Sequence, residues 1–230
     1  MSKGVFYGVG IGPGDPELIT VKALRALERC GVIAYPVTRG GRRLAWDIAS
    51  RAADLSGKTE LPLPFSMSAD AEAREARRLA AAERVEAYLA RGEDVAMLNL
   101  GDVSIYATCS YLMETLRERG YEAVMLPGVT SFSASAARLG LGLTEPDKPL
   151  HIVPGTADLE AALALSGTKV LLKTGRQLPR VLECLKERGL LQKTALVKNC
   201  GLPDEEVCED LSRRTPQGDA GYFVTVIVKE

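Results

Sequence analysis

Aromatic residues are scarce in this chain: one tryptophan, seven tyrosines and four phenylalanines make up 5% of its 230 residues. Without aromatics interleaved among basic residues, and with a formal net charge of −1, the sequence lacks the footprint of a nucleic-acid binder. Histidine is scarcer still. The single His151 excludes a multi-histidine metal site, and no acidic loop has calcium-site spacing, so no protein-bound metal is expected. A lone histidine also leaves little to activate a serine, and no serine sits in a G-x-S-x-G elbow, which argues against acyl transfer. The five cysteines (Cys30, Cys109, Cys184, Cys200, Cys208) are odd in number and form no C-x-x-C pair, a pattern of reduced thiols rather than of a disulfide framework. No apolar run is long enough to span a membrane, and the N-terminus reads as a strand, Val5-Phe6-Tyr7, instead of a secretory signal. A cytoplasmic protein with no membrane partner is therefore expected.

What the chain does have is 46% hydrophobic content, enough to bury one sizeable core or two small ones. Strand patterns at Val5–Val9, Val32–Pro36, Val95–Leu100, Glu122–Leu126, Leu150–Val153, Lys169–Lys173, Thr194–Asn199 and Tyr222–Val228 alternate with helical ones. The helical patterns run over Glu17–Arg29, Leu44–Ala53, Ala69–Arg91, Tyr106–Arg119, Ser131–Leu139 and Leu178–Arg188. This is an α/β chain. Between Pro127 and Pro149 the composition shifts to small residues and turn formers, which predicts two α/β domains, 1–126 and 127–230.

Three strand-turn-helix loops carry the functional signal. The first places glycine at every second position, Gly8-Val9-Gly10-Ile11-Gly12-Pro13-Gly14, which suits a ligand lying against bare backbone or, alternatively, a tight structural turn. A dinucleotide fingerprint fails on spacing, because its last glycine falls on Pro13 or on Asp15 in the two frames. Asp15, Pro16 and Glu17 read as a cap, first-turn proline and first-turn acid of the next helix, an arrangement that repels phosphate. The second loop is Leu100-Gly101-Asp102-Val103-Ser104-Ile105-Tyr106, at the carboxyl end of a buried-looking strand where ligands of open α/β sheets sit. Asp102 has two readings, a helix N-cap or a carboxylate that holds a ligand hydroxyl or ammonium. The third is Pro127-Gly128-Val129-Thr130-Ser131-Phe132, leading into a helix of small residues.

Taken in order, Gly10 to Thr20, Gly101 to Tyr106 and Pro127 to Phe132 resemble the three motifs of the tetrapyrrole methylases, S-adenosylmethionine-dependent enzymes of corrin and sirohaem synthesis. Leu171–Gly175 and Ala195–Gly201 resemble that family's later segments, so the likeness covers nearly the whole chain. Val103, where most relatives have proline, and the Leu61–Met67 segment are most similar to the precorrin-2 C-20 methyltransferase branch. The resemblance implies a homodimer of two-domain chains, the cofactor folded into a cleft between domains, and methylation of C-20 of precorrin-2 or cobalt-factor II in cobalamin synthesis. Another ring methylase, a diphthine synthase-like methylase and a non-enzymatic S-adenosylmethionine sensor remain as alternatives.

Carried over by position, the implied cofactor contacts are Pro13, Leu100, Gly101, Asp102, Ile105, Thr130, Ser131, Thr174 and Cys200, with Asp15 and Tyr106 as candidate catalytic groups facing the substrate. Thr174 stands where relatives often have methionine, and Cys200 where many have glycine. A substrate of this class carries many carboxylates. Arg39 and Arg42, after the strand ending at Pro36, are the cations placed to bind them, a solvated basic loop being the plainer alternative. Methyl transfer from a sulfonium is an in-line displacement, for which orientation alone can supply roughly 7 to 11 kcal/mol of the barrier. The poverty in histidine is then no obstacle.

Overall fold

Short apolar runs with almost no polar alternation form the central strands, as a parallel sheet covered on both faces requires. The computed structural model describes residues 2–37, 43–65, 70–214 and 221–229. They divide into two compact units, Met1–Thr130 and Ser131–Glu230, each built of a five-stranded sheet and helices.

In the first unit β1 (Phe6–Gly10), β2 (Val32–Val37), β3 (Thr59–Pro64), β4 (Val95–Asn99) and β5 (Ala123–Leu126) lie in the order β3-β2-β4-β1-β5, all parallel. Helices α3 (Ala71–Leu89) and α4 (Thr108–Glu118) press Val85, Leu89, Leu112, Met113 and Leu116 onto Phe6, Val95 and Met97 on one face of the sheet. Helices α1 (Val21–Arg29) and α2 (Leu44–Ala52) contribute buried Leu27, Trp46 and Ile48, with the Trp46 ring 5.2 Å from that of Tyr35.

The second unit carries α5 (Ser131–Arg138), β6 (Leu150–Pro154), α6 (Leu159–Ala164), β7 (Thr168–Leu172), α7 (Leu178–Glu187), β8 (Thr194–Lys198), β9 (Glu206–Cys208) and β10 (Val224–Val228). Its sheet runs β6-β7-β10-β8-β9, with β6 and β7 parallel and the remaining pairs antiparallel. Leu159 and Leu163 of α6 and Val181 and Leu185 of α7 close over Leu171, Leu196 and Val226. Since β10 runs against both β7 and β8, its entrance lies at the same sheet end as their exits.

Local chemistry redraws several expected boundaries. The helical pattern from Glu17 breaks in two: Asp15 caps a single 3₁₀ turn, Pro16–Leu18, and α1 starts only after Thr20, whose hydroxyl accepts from Ala23 N at 3.2 Å. The acidic cap therefore belongs to the short turn and not to α1. Strand β3 is hidden by its prolines; as an edge strand it tolerates Pro62 and Pro64 while Leu61 and Leu63 face the core. Helix α6 is short but well started, with Asp158 accepting from Glu160 N and Ala161 N at 3.1 and 3.2 Å.

The alternating glycines serve the chain itself. A Cβ on Gly8 would lie 2.9 Å from the sulfurs of Cys109 and Met113 of α4, and one on Gly10 only 2.6 Å from Gly128 N. The bare backbone that suggested ligand contact is, at these two positions, covered by a helix and by another loop. Replacing Gly10 by Ala is expected to cost about 1–3 kcal/mol of unfolding free energy in urea denaturation. Gly31→Ala, where an added methyl meets no atom within 4 Å, is the control and should change stability by less than about 0.5 kcal/mol.

Candidate functional site

The connection leaving β1 goes to β2, whereas the one leaving β4 crosses to β5 on the other side of β1. Neighbouring strands β4 and β1 therefore send their loops in opposite directions, the topological switch point at which α/β sheets bind ligands. The first and second glycine loops meet there. Gly12 and Gly101 form an isolated antiparallel bridge, Gly101 N donating to Gly12 O at 2.7 Å and Gly12 N to Gly101 O at 3.3 Å. Both glycines hold a positive φ, 77° and 71°, which a side chain would oppose. The third loop packs equally close: a Cβ on Gly128 would sit 2.3 Å from Gly101 O.

Asp102 ties the second loop to the third. Its Oδ1 accepts from Ser104 N at 2.8 Å and from the Ser104 hydroxyl, and its Oδ2 accepts from Gly128 N at 2.8 Å. It is not the cap of α4: the helix begins only at Thr108, and Ala107 occupies the cap position. Burial alone would raise the Asp102 pKa, but these donors outweigh it and hold the carboxyl below its ordinary value. Behind it, Asn99 Nδ2 donates to the carbonyls of Leu100 at 2.9 Å and Asp102 at 3.2 Å. At the third loop, the Thr20 hydroxyl reaches Pro127 O at 3.4 Å.

The first unit thus gathers Pro13, Asp15, Leu100, Gly101, Asp102, Ile105, Tyr106 and Thr130 on loops at adjacent strand ends. Pro13 is buried, Asp15 and Ile105 are half-buried, and Tyr106 is exposed. In the second unit Ser131 opens α5 and, one turn on, Ser135 is buried with no partner for its hydroxyl among the described residues. Burial pushes the Cys200 thiol's pKa up, so Cys200 is a neutral contact and not a nucleophile. The next amide, Gly201 N, donates to Glu205 Oε2 at 2.8 Å. Thr174 is fully buried, and its hydroxyl has no hydrogen-bond partner among the described residues. Arg39 and Arg42 lie outside the described residues.

Three described non-glycine residues adopt positive φ: Tyr106 at 48°, Lys173 at 59° and Asn199 at 52°. Each adjoins a residue expected at the cofactor: Ile105, Thr174 and Cys200. Strain of this kind collects at ligand-holding loops. Sequence reasoning missed Asn99, whose signal was a polar residue closing a buried strand. His151 plays no part in these loops, its Nε2 donating to Ser166 O at 2.9 Å. Among the described residues no cluster of three His, Cys, Asp or Glu is placed to hold a metal, and no helix is long and apolar enough to cross a membrane.

The Asp102 carboxylate titrates low in the folded state, so its contribution to stability is complete above the unfolded carboxylate's pKa and is lost as pH falls through the folded value. Asp102→Asn is expected to lower stability by about 1–3 kcal/mol at neutral pH. In urea titrations the gap from wild type should shrink on acidification; a gap independent of pH would contradict this assignment.

The family model for Tetrapyrrole (Corrin/Porphyrin) Methylases matches residues 5–213. The "Cobalamin biosynthesis protein CobIJ" of Mycobacterium tuberculosis is 34% identical over 90% of this chain, which spans only 42% of that relative's length. A "Probable cobalt-precorrin-2 C(20)-methyltransferase" of Methanocaldococcus jannaschii is 36% identical over 87% of this chain and 85% of its own. The "Precorrin-2 C(20)-methyltransferase" of a Sinorhizobium species is 33% identical over 98% and 95%, respectively. A solved uroporphyrin-III C-methyl transferase from Thermus thermophilus, complexed with S-adenyl homocysteine, shares the fold with a TM-score of 0.69 at 22% identity, covering 99% of this chain and 97% of that one. With the three loops in family order and a match along most of its length, the chain belongs to the tetrapyrrole (corrin/porphyrin) methylases.

Proposed function

We propose that this chain is an S-adenosylmethionine-dependent methyltransferase that methylates C-20 of precorrin-2 or of its cobalt complex in cobalamin biosynthesis. The observation that carries the reading is the match to relatives along most of their own length whose names specify that carbon and that substrate. A homodimer and a cytoplasmic location belong to the same reading, supported by the family resemblance.

The residues present fit the cofactor. A buried Thr174 hydroxyl with no partner among the described residues offers a hydrogen bond to a polar ligand, and the backbone beside the expected contacts is held at positive φ at Tyr106, Lys173 and Asn199. S-adenosylmethionine, when bound, supplies an electrophilic methyl group. Pro13, Leu100, Gly101, Asp102, Ile105 and Thr130 of the first unit, with Ser131, Thr174 and Cys200 of the second, would hold it, mostly through backbone. Asp102 acts through the loops: with both carboxylate oxygens engaged, it fixes Ser104 and Gly128 in place. Orientation is the main demand of the reaction, and a stapled backbone meets it with no reorganisation at the moment of transfer. Cys200 stays protonated and so does not compete for the methyl group. Asp15 and Tyr106 face the macrocycle in this reading, and Arg39 and Arg42 take its carboxylates.

The test is anaerobic turnover with S-adenosylmethionine and either precorrin-2 or cobalt-factor II, the product read by mass and by NMR of a labelled methyl. One new methyl at C-20 is expected; a methyl elsewhere, or none despite cofactor binding, would overturn the assignment. Replacing Arg39 and Arg42 together with Ala should raise the KM for the tetrapyrrole about tenfold while leaving calorimetric cofactor affinity unchanged. Unchanged substrate affinity would remove both arginines from the site.

A further inference from the structure

Glu205 repeats in the second unit what Asp102 does in the first: one carboxylate serves two donors from separate segments. Its Oε2 accepts from Gly201 N at 2.8 Å, and its Oε1 accepts from Arg138 Nε. The residue before it holds the other flank of Cys200. Asp204 Oδ2 accepts from Asn199 Nδ2 at 2.7 Å, and Asn199 keeps a positive φ of 52°. Cys200 is thus bracketed by two neighbours, each hydrogen-bonded to one of two consecutive acids. Arg138 extends the clasp to α5, because it ends the helix that Ser131 opens. The eight residues of α5 make a rod about 10 Å long between Ser131 and Arg138.

The Glu205 side chain is only 17% exposed. Burial would raise its pKa, but the Gly201 amide and the Arg138 guanidinium prevail and hold the carboxyl below its ordinary value. An ionised carboxylate makes the stronger bond to each donor. With one donor on each oxygen, a glutamine in its place would keep a single acceptor for the two. We propose that Glu205 is a positioning residue for the cofactor: through Gly201 N and Arg138 it sets the Cys200 loop and the helix behind Ser131 at one fixed spacing. In this role it touches no ligand. The role rests on the methyltransferase reading above, in which Ser131 and Cys200 hold S-adenosylmethionine. An ion pair that merely stabilised the fold would leave the folded protein's affinity for the cofactor untouched.

Calorimetric titration of the full chain with S-adenosylhomocysteine tests this, at a temperature where circular dichroism shows each variant folded. Glu205→Gln should weaken binding about three- to tenfold and raise the KM for S-adenosylmethionine by a similar factor, with kcat changed less than about twofold. Arg138→Met should weaken binding about two- to fivefold, and Arg138→Lys, which keeps the charge, should recover part of that loss. The double variant Arg138→Met with Glu205→Gln should bind no more weakly than Glu205→Gln alone, because Arg138 acts through the carboxylate. Losses that add in the double variant would overturn the link through Arg138. If wild type binds S-adenosylhomocysteine and Glu205→Gln binds it equally well, the positioning role fails and the cofactor reading stands. If wild type does not bind it, the cofactor reading fails and the positioning role falls with it.

Discussion

Everything at the first unit's strand ends depends on one close approach of backbone to backbone. Gly10, Gly101 and Gly128, from three segments distant in sequence, meet with no room for a Cβ at Gly10 or Gly128. The Gly12–Gly101 bridge and the Asp102 carboxylate on Gly128 N close the junction. With no Cβ between them the three loops are locked in one backbone arrangement, which leaves little freedom to lose on binding, where alignment gains most.

The second unit reaches a comparable result by different means. Its mixed sheet brings the ends of β7 and β8 and the start of β10 to one side, and the constrained residues Lys173 and Asn199 bracket the Thr174 and Cys200 loops. Gly175 against Gly221, and Asn199 N on Phe223 O, bind the β10 entrance to both. The reactive groups that a histidine-rich or thiol enzyme would display are absent from these loops or disarmed. His151 is occupied by a carbonyl, and the thiols of Cys30 and Cys109 are pushed up by burial to about 11 and about 12.

Much of this was legible in the sequence. Apolar runs ended by glycine marked the central strands, and the three loops were placed at strand ends because glycine and proline punctuate the chain there, although the helices after the first two begin later than expected, at Val21 and Thr108. Strand β3 was hidden by prolines that only an edge position permits, and the break after Leu18 by the strength of Thr20 as a cap. The purpose of the glycines was misread in part. Their alternation records how near the chain comes to itself, a long-range fact carried by Gly128 and by the sulfurs of Cys109 and Met113, none of which is a sequence neighbour. Asp102 looked like a cap for the same reason: its partner Gly128 is 26 positions away.

The proposal that the first unit's stapled loops and the second unit's Thr174 and Cys200 loops each contact the cofactor is tested most directly by hydrogen exchange read by mass spectrometry. Adding S-adenosylhomocysteine should slow amide exchange in 10–14, 99–106, 127–131, 173–176 and 199–202, while the edge strand 59–64 stays as it was. Protection appearing elsewhere, or none in these five segments at saturating ligand, would contradict the account.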